Sequence, residues 1–138
     1  MPNATQSLFR YVLDTCALID IAGSEKMTVL RKVVNDIIIP QKVAEEIKRP
    51  PSLKRFIKSH PEVVVEFDEK EGEQYLELLE RYSFGKGSLG KGEVAAITIS
   101  YNRDIPLVTD DTTATKKAKE LGIKKILTYK GFLKQYDR

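Results

Sequence analysis

Five acidic side chains fall where an α/β chain would place its chemistry. Tyr11-Val12-Leu13 is a short apolar run that breaks at Asp14-Thr15 before an apolar, Ala-rich segment resumes. A run with no polar face is the pattern of a strand buried on both sides. A carboxylate at the carboxyl end of such a strand points at the crevice where open α/β sheets bind ligands. Glu46, in Val43-Ala44-Glu45-Glu46-Ile47, follows the apolar Ile37-Ile38-Ile39. Glu93 opens the segment Glu93-Val94-Ala95-Ala96-Ile97, and Asp110 and Asp111 follow Pro106-Leu107-Val108-Thr109. In a parallel sheet these ends share one edge, so Asp14, Glu46, Glu93 and Asp111 can meet in one crevice. Like charges brought together are costly without a cation. Hard divalent ions with oxygen ligands, Mg²⁺ or Mn²⁺, are the matching partners. With one histidine, His60, and one cysteine, Cys16, zinc is a poor match.

Each acid also has a plainer role open to it. Asp14 can cap the helix that follows, and so can Asp110 or Asp111. Glu45 and Glu46 are consecutive, so only one is expected to face the crevice. Val43 and Ile47, four apart, mark the buried face, and Glu46 lies beside it. Between Asp110 and Asp111 the choice stays open. Cys16 stands near Asp14, but His60 lies in the turn-like Ser59-His60-Pro61. Cys16 is therefore expected to be a small buried thiol rather than a nucleophile.

The elements that must position these residues alternate. Helices are expected at about 17–22, 25–34, 40–48, 52–59, 69–82, 92–101, 112–121 and 130–136. Strands are expected at 11–13, 37–39, 63–67, 106–109 and 125–128. Pro40 suits the first position of a helix, where its missing N–H costs nothing, and Pro50-Pro51 stops that helix. Asp68 with Glu71 three residues on has the form of a capping box. Tyr75, Leu76, Leu78, Leu79 and Tyr82 give the helix that follows an apolar face. Gly122 ends the helix over 112–121. Strands alternating with helices imply an α/β fold with a five-stranded parallel sheet covered on both faces.

The chain has 138 residues, 41% of them hydrophobic and 31% charged, which suits one soluble globular domain. Its core is expected over about 10–134, with residues 1–7 as a flexible tail. No apolar run reaches the roughly 20 residues that span a bilayer, and the polar start, Met1 to Ser7, lacks a signal-peptide core. No membrane role and a cytoplasmic location are therefore expected. Net charge is only +3, but it is unevenly spread. From Glu62 to Glu80 there are eight acids and one base, Lys70, whereas from Thr112 to Arg138 there are eight bases and two acids. A basic end suits a polyanion partner.

The loop Gly85-Lys86-Gly87-Ser88-Leu89-Gly90 spells a dinucleotide fingerprint, and with Lys91 nearly a P-loop. The fingerprint must follow a strand, yet Tyr75 to Phe84 has helical spacing, and Gly92 stands where a P-loop needs Ser or Thr. A flexible loop beside the active edge is the better reading.

In order and spacing, the strand ending at Asp14-Thr15, Val43-Ala44-Glu45-Glu46-Ile47, Gly90-Lys91-Gly92-Glu93 opening a helix, and Leu107-Val108-Thr109-Asp110-Asp111 with Ala118 and Leu121-Gly122-Ile123 resemble the PIN-domain family of metal-dependent ribonucleases. The resemblance covers Tyr11 to about Leu133. It implies a three-layer α/β/α sandwich and an acidic quartet, Asp14, Glu46, Glu93 and Asp111, binding Mg²⁺ or Mn²⁺. Asp110 competes with Asp111 for the last place, and Thr15 and Thr109 are supporting hydroxyls. Family members often carry Asp where this chain has Glu93, whose longer side chain keeps the charge but changes the reach. The implied reaction is endoribonucleolytic hydrolysis of RNA, single-stranded or unpaired, leaving a 5′-phosphate and a 3′-hydroxyl. Lys86, Lys91, Lys116 and Lys117 would hold the RNA backbone. The implied settings are a VapC-type toxin with an antitoxin partner, or housekeeping RNA processing, either one as a monomer or a homodimer. The alternative is a non-catalytic PIN-like module that binds RNA or protein.

Overall fold

The computed structural model describes residues 10–85 and 87–136. The expected tail, residues 1–7, and Lys86 lie outside the described residues. Five short strands, β1 (Tyr11–Leu13), β2 (Ile37–Pro40), β3 (Val64–Val65), β4 (Leu107–Val108) and β5 (Ile126–Leu127), form one parallel sheet in the order β3-β2-β1-β4-β5. The helices are α1 (Thr15–Gly23), α2 (Met27–Lys32), α3 (Gln41–Glu46), α4 (Pro51–Ser59), α5 (Glu69–Tyr82), α6 (Lys91–Arg103), α7 (Thr112–Leu121) and α8 (Tyr129–Lys134). The chain runs outward from β1 through β2 to β3, then returns to the other side of β1 with β4. The strand order therefore reverses between β1 and β4, and open sheets leave a crevice beyond the carboxyl ends of their strands at such a reversal.

Alternation along the strands sorts the core into two layers. Tyr11, Leu13, Ile37, Ile39 and Val108 pack under α1, α2, α4 and α8, with Leu18, Ile21, Leu30, Phe56 and Phe132 buried between. Val12, Ile38 and Leu107 face the other way, against α5, α6 and α7. The expected three-layer architecture is the observed one. In α6 every residue from Val94 to Ser100 is buried, which a helix rich in small and apolar side chains tolerates. Asp68 and Glu71 form the expected capping box on α5, and Gly122 ends α7 in the left-handed region at φ 100°. The Gly-rich loop follows α5 rather than a strand, so the fingerprint lacks the context it requires.

Several expectations need correction. The helix expected over 25–34 is shorter. Glu25 adopts φ 60° and turns the chain, α2 starts at Met27, and a 3-10 turn at Val34–Asp36 leads into β2. Pro40 closes β2, paired with Val65, and caps α3 with ψ 143° rather than beginning it. Helix α3 stops at Glu46, because Ile47 is already extended. The strand expected over 63–67 shrinks to two residues behind a 3-10 turn at Pro61–Val63. On α5, Leu76 is 65% exposed while Tyr75, Leu78 and Tyr82 are buried, so the apolar face is narrower than expected. Cys16 is exposed, not buried: it lies in the first turn of α1, next to the fully buried Ala17 and Leu18.

Helix α5 is also held to α6 by an ion pair that sequence reading did not single out. Arg103 donates from Nε to Glu71 Oε2 at 2.8 Å and from Nη2 to Glu71 Oε1 at 2.9 Å, and Glu71 is only 1% exposed. The guanidinium holds the Glu71 carboxyl below the usual carboxylate range despite its burial.

Candidate functional site

Asp14 ends β1 on the central strand and starts α1. As its N-cap, Asp14 adopts extended backbone, and its Oδ1 accepts from the Ala17 N–H at 2.8 Å. Capping uses one oxygen only. The side chain is 1% exposed, and no donor reaches Oδ2 among the described residues. Burial pushes its pKa up to about 6, and the charges of Asp110 and Asp111 add to that, while the Thr109 hydroxyl and the Ala17 N–H pull the other way. A cap alone would leave no reason to bury the second oxygen.

Glu93 lies in the first turn of α6 and reaches back to the Gly90 N–H, with Oε1 accepting at 2.8 Å. Its Oε2 is buried with no donor among the described residues. Burial pushes its pKa up to about 7, and contact with the Asp111 carboxyl adds to this. Two carboxyls in contact need a shared proton or a cation between them. Asp111 caps α7, with Oδ1 accepting from Ala114 N–H at 2.8 Å, and its own N–H donates to Thr109 Oγ1 at 3.2 Å. Of this pair, Asp111 is the group whose pKa is lowered: burial works to raise it, but its contact with Glu93 and its backbone donors together outweigh that.

Glu46 enters from α3. It is exposed, and Thr15 Oγ1 donates to its Oε1 at 2.6 Å, which ties α3 to the start of α1. Gly92 makes this possible. A Cβ at Gly92 would overlap Glu46 Oε1 and lie 2.5 Å from Thr15 Oγ1. Glycine in a first helical turn therefore marks a close approach rather than a turn. Glu45, exposed, pairs instead with Lys42 at 4.0 Å.

The choice between Asp110 and Asp111 resolves into two different contacts. Asp111 meets Glu93, whereas Asp110 turns toward α1 and α8. Its Oδ1 accepts from the Tyr129 N–H at 3.0 Å, and its carboxyl meets that of Asp20, whose pKa rises to about 6, chiefly through that contact. Asp110 Oδ2 is a third buried oxygen without a donor. Asp20 is an acid that sequence reading missed. Its signal is a lone carboxylate inside the otherwise apolar Ala17-Leu18-Ile19-Asp20-Ile21-Ala22.

The switch-point edge thus carries Asp14, Glu93, Asp111 and Asp110, with Asp20 beside them and Glu46 tied to Thr15. Among the described residues, no three acidic, His or Cys side chains stand close enough as they lie to share one ion. The donor set is nonetheless all oxygen, and the buried Oδ2 of Asp14 and Oε2 of Glu93 are orphaned acceptors, which fits a hard divalent cation. Cys16 sits in the same negative field. Although the residue is exposed, desolvation of its sulfur by the surrounding protein and then the charges of Asp14, Glu93, Asp111 and Asp20 push its thiol up to about 12, so it makes a poor nucleophile. Of the described lysines proposed for RNA, Lys91 and Lys116 are exposed and Lys117 lies over the Tyr82 ring at 5.4 Å. No helix among the described residues is long and apolar enough to cross a membrane.

Comparison with known proteins agrees with this architecture. No curated protein matches the chain. Among solved structures, PAE2754 from Pyrobaculum aerophilum superposes with a TM-score of 0.63 at 16% identity, over 96% of this chain and 92% of that one. VapBC2 from Rickettsia felis, bound to a DNA fragment from their promoter, gives 0.55 at 15% identity, over 87% and 98%. FitAcB from Neisseria gonorrhoeae gives 0.53 at 11%, over 86% and 97%. These likenesses concern the fold. The family model described as PIN domain matches residues 10–129, most of the chain and all of the acidic edge. By that match the chain belongs to the PIN-domain family.

Proposed function

We propose that this protein is a Mg²⁺- or Mn²⁺-dependent endoribonuclease. The observation that carries the reading is Asp14: a buried carboxylate at the end of the central strand, capping with one oxygen and leaving the other without a donor. Asp14, Glu93, Asp111 and Glu46 would hold the ion, with Asp110 at its edge. A bound divalent ion lowers the pKa of water it holds and offsets the charge that develops on a phosphate under attack. The chain's own part is positioning. Thr15 orients Glu46, and Thr109 supports Asp14 and the Asp111 N–H. Glu93 and Asp111, whose carboxyls meet, would hold such an ion in place of a proton between them. Lys91 and Lys116 hold backbone phosphates, together with Lys117 and Lys86, and charge contacts of this kind carry little sequence information.

The substrate is proposed to be single-stranded or unpaired RNA in the cytoplasm, cut to a 5′-phosphate and a 3′-hydroxyl. In a toxin setting, an antitoxin covers the crevice. A non-catalytic binding module is the second reading, and the separation of the acids as they lie favours it. Incubation of structured and unstructured RNA with Mn²⁺ or EDTA decides between them. Wild type should cleave only with metal, and Asp14→Asn should stay folded and not cleave. Cleavage in EDTA, or full cleavage by a folded Asp14→Asn protein, overturns the proposal.

A further inference from the structure

A cavity of about 440 Å³ opens at the opposite edge of the sheet, where Ile105-Pro106 lead into β4 and Ile123-Lys124-Lys125 lead into β5. Its size falls within the range of ligand sites. Ile105, Pro106 and Ile123 give it apolar lining, Tyr101 from α6 lines it at 45% exposure, and Lys70, Lys124 and Lys125 face a single acid, Asp104. Among the described residues, no hydrogen bond, ion pair or ring contact engages the side chains of Lys70, Tyr101 or Lys124.

Local structure explains only part of this set. Lys124 and Lys125 follow the carboxyl end of α7, where a cation complements the helix dipole. Lys70 has no such reason. It is the sole base in the acidic run from Glu62 to Glu80 and sits in the first turn of α5, where the dipole disfavours a cation. A residue that breaks its local rule without a partner in the fold is expected where function needs it. An unengaged aromatic ring beside apolar lining and flanking ammonium groups is the combination that takes a base on its face and a phosphate at its rim.

We propose that this cavity is a second nucleotide-docking site, in which a base of single-stranded RNA stacks on Tyr101 while Lys70 and Lys124 hold its flanking phosphate. The site lies on the edge away from Asp14, so it binds the strand without taking part in cleavage. It rests on the proposed ribonuclease reading only for the identity of the strand. A free nucleotide offers the same chemistry, and the test separates the two sources.

The experiment is fluorescence anisotropy with a labelled short oligoadenylate, in the Asp14→Asn protein so that the strand survives, with AMP titrated in a parallel arm. Tyr101→Ala should weaken oligoadenylate binding by about fivefold or more, and Tyr101→Phe should restore it. Lys70→Ala with Lys124→Ala should shrink the slope of log affinity against log salt by roughly 0.7 for each phosphate these lysines neutralise. Tyr101-dependent binding of AMP as tight as that of the oligomer supports the pocket chemistry and assigns it to a free nucleotide. If Tyr101→Ala and the double lysine variant bind both probes as their parent does, the proposal is overturned, whatever the cleavage assay gives. Tyr101-dependent binding, together with a wild-type protein that never cleaves RNA with Mn²⁺, would leave this site standing and remove the nuclease reading alone.

Discussion

Replacing Asp14 with Asn in the metal-free protein should raise its melting temperature, and by an amount that depends on pH. Asn keeps the shape and caps helices as well as Asp does, so the Oδ1 hydrogen bond from Ala17 survives. What disappears is a buried charge. Burial raises the Asp14 pKa from 3.8 to about 6, so the native state holds a proton that the unfolded state has released. At pH values below both pKa values the two states are equally protonated and the group costs nothing. As pH climbs past the unfolded value toward about 6, native stability falls, and above that the penalty is complete. Two tenfold steps at about 1.4 kcal/mol each give on the order of 3 kcal/mol at neutral pH. For a chain of this size, that corresponds to a rise of about 10 °C in the midpoint of Asp14→Asn over wild type. Melting curves in EDTA at about pH 3, below both pKa values, and at about pH 7 measure it directly. The two proteins should melt together at the lower pH and separate at the higher. Parallel curves at both values would mean that Asp14 is not held as a buried, uncompensated carboxylate.

Gly92→Ala should leave the midpoint nearly unchanged, since a gain of up to about 1 kcal/mol in helix propensity offsets the loss of one hydrogen bond between Thr15 and Glu46. The same variant should lose metal-dependent RNA cleavage, because its Cβ takes the space of Glu46 Oε1; unchanged cleavage would detach Glu46 from the site. Arg103→Ala leaves Glu71 buried without its partner and should cost about 3 kcal/mol in urea unfolding at neutral pH. Because the Glu71 pKa is lowered, that difference should shrink as pH falls through the carboxylate range. Lys116→Ala should reduce the salt slope of RNA binding by roughly 0.7. Lys117→Ala should do the same and also cost about 0.5 kcal/mol of stability, from its contact with Tyr82.

The parts of the fold legible in the sequence were those with strong local causes. The Asp68–Glu71 box, Gly122 and the alternation of apolar runs with amphipathic segments each fix structure within a few residues. The parts misread depend on neighbours distant in sequence. The pairing of Pro40 with Val65 keeps Pro40 in a strand; the left-handed turn at Glu25, by contrast, is a local closure of α1, in which the Lys26 N–H donates to the Ile21 carbonyl and the Glu25 N–H to the Ala22 carbonyl, made without the glycine that usually marks it. The exposure of Cys16 and Leu76 depends on where each helix docks. The acids at the strand ends were legible because a parallel sheet gathers those ends on one edge. Asp20 and Gly92 were not, since their roles arise only once α1 lies beside the β4–α7 turn and α3 beside α6.

The proposed function requires Asp14, Glu46, Glu93 and Asp111 to act as one divalent-cation site. The most direct measurement is calorimetric titration of Mn²⁺ into the metal-free protein at neutral pH, for wild type and for Asp14→Asn, Glu46→Gln, Glu93→Gln and Asp111→Asn. Wild type should bind saturably, releasing a proton held between Glu93 and Asp111, and every one of the four variants should bind more weakly. Wild-type affinity in the variants, or no binding by wild type at millimolar Mn²⁺, would contradict it.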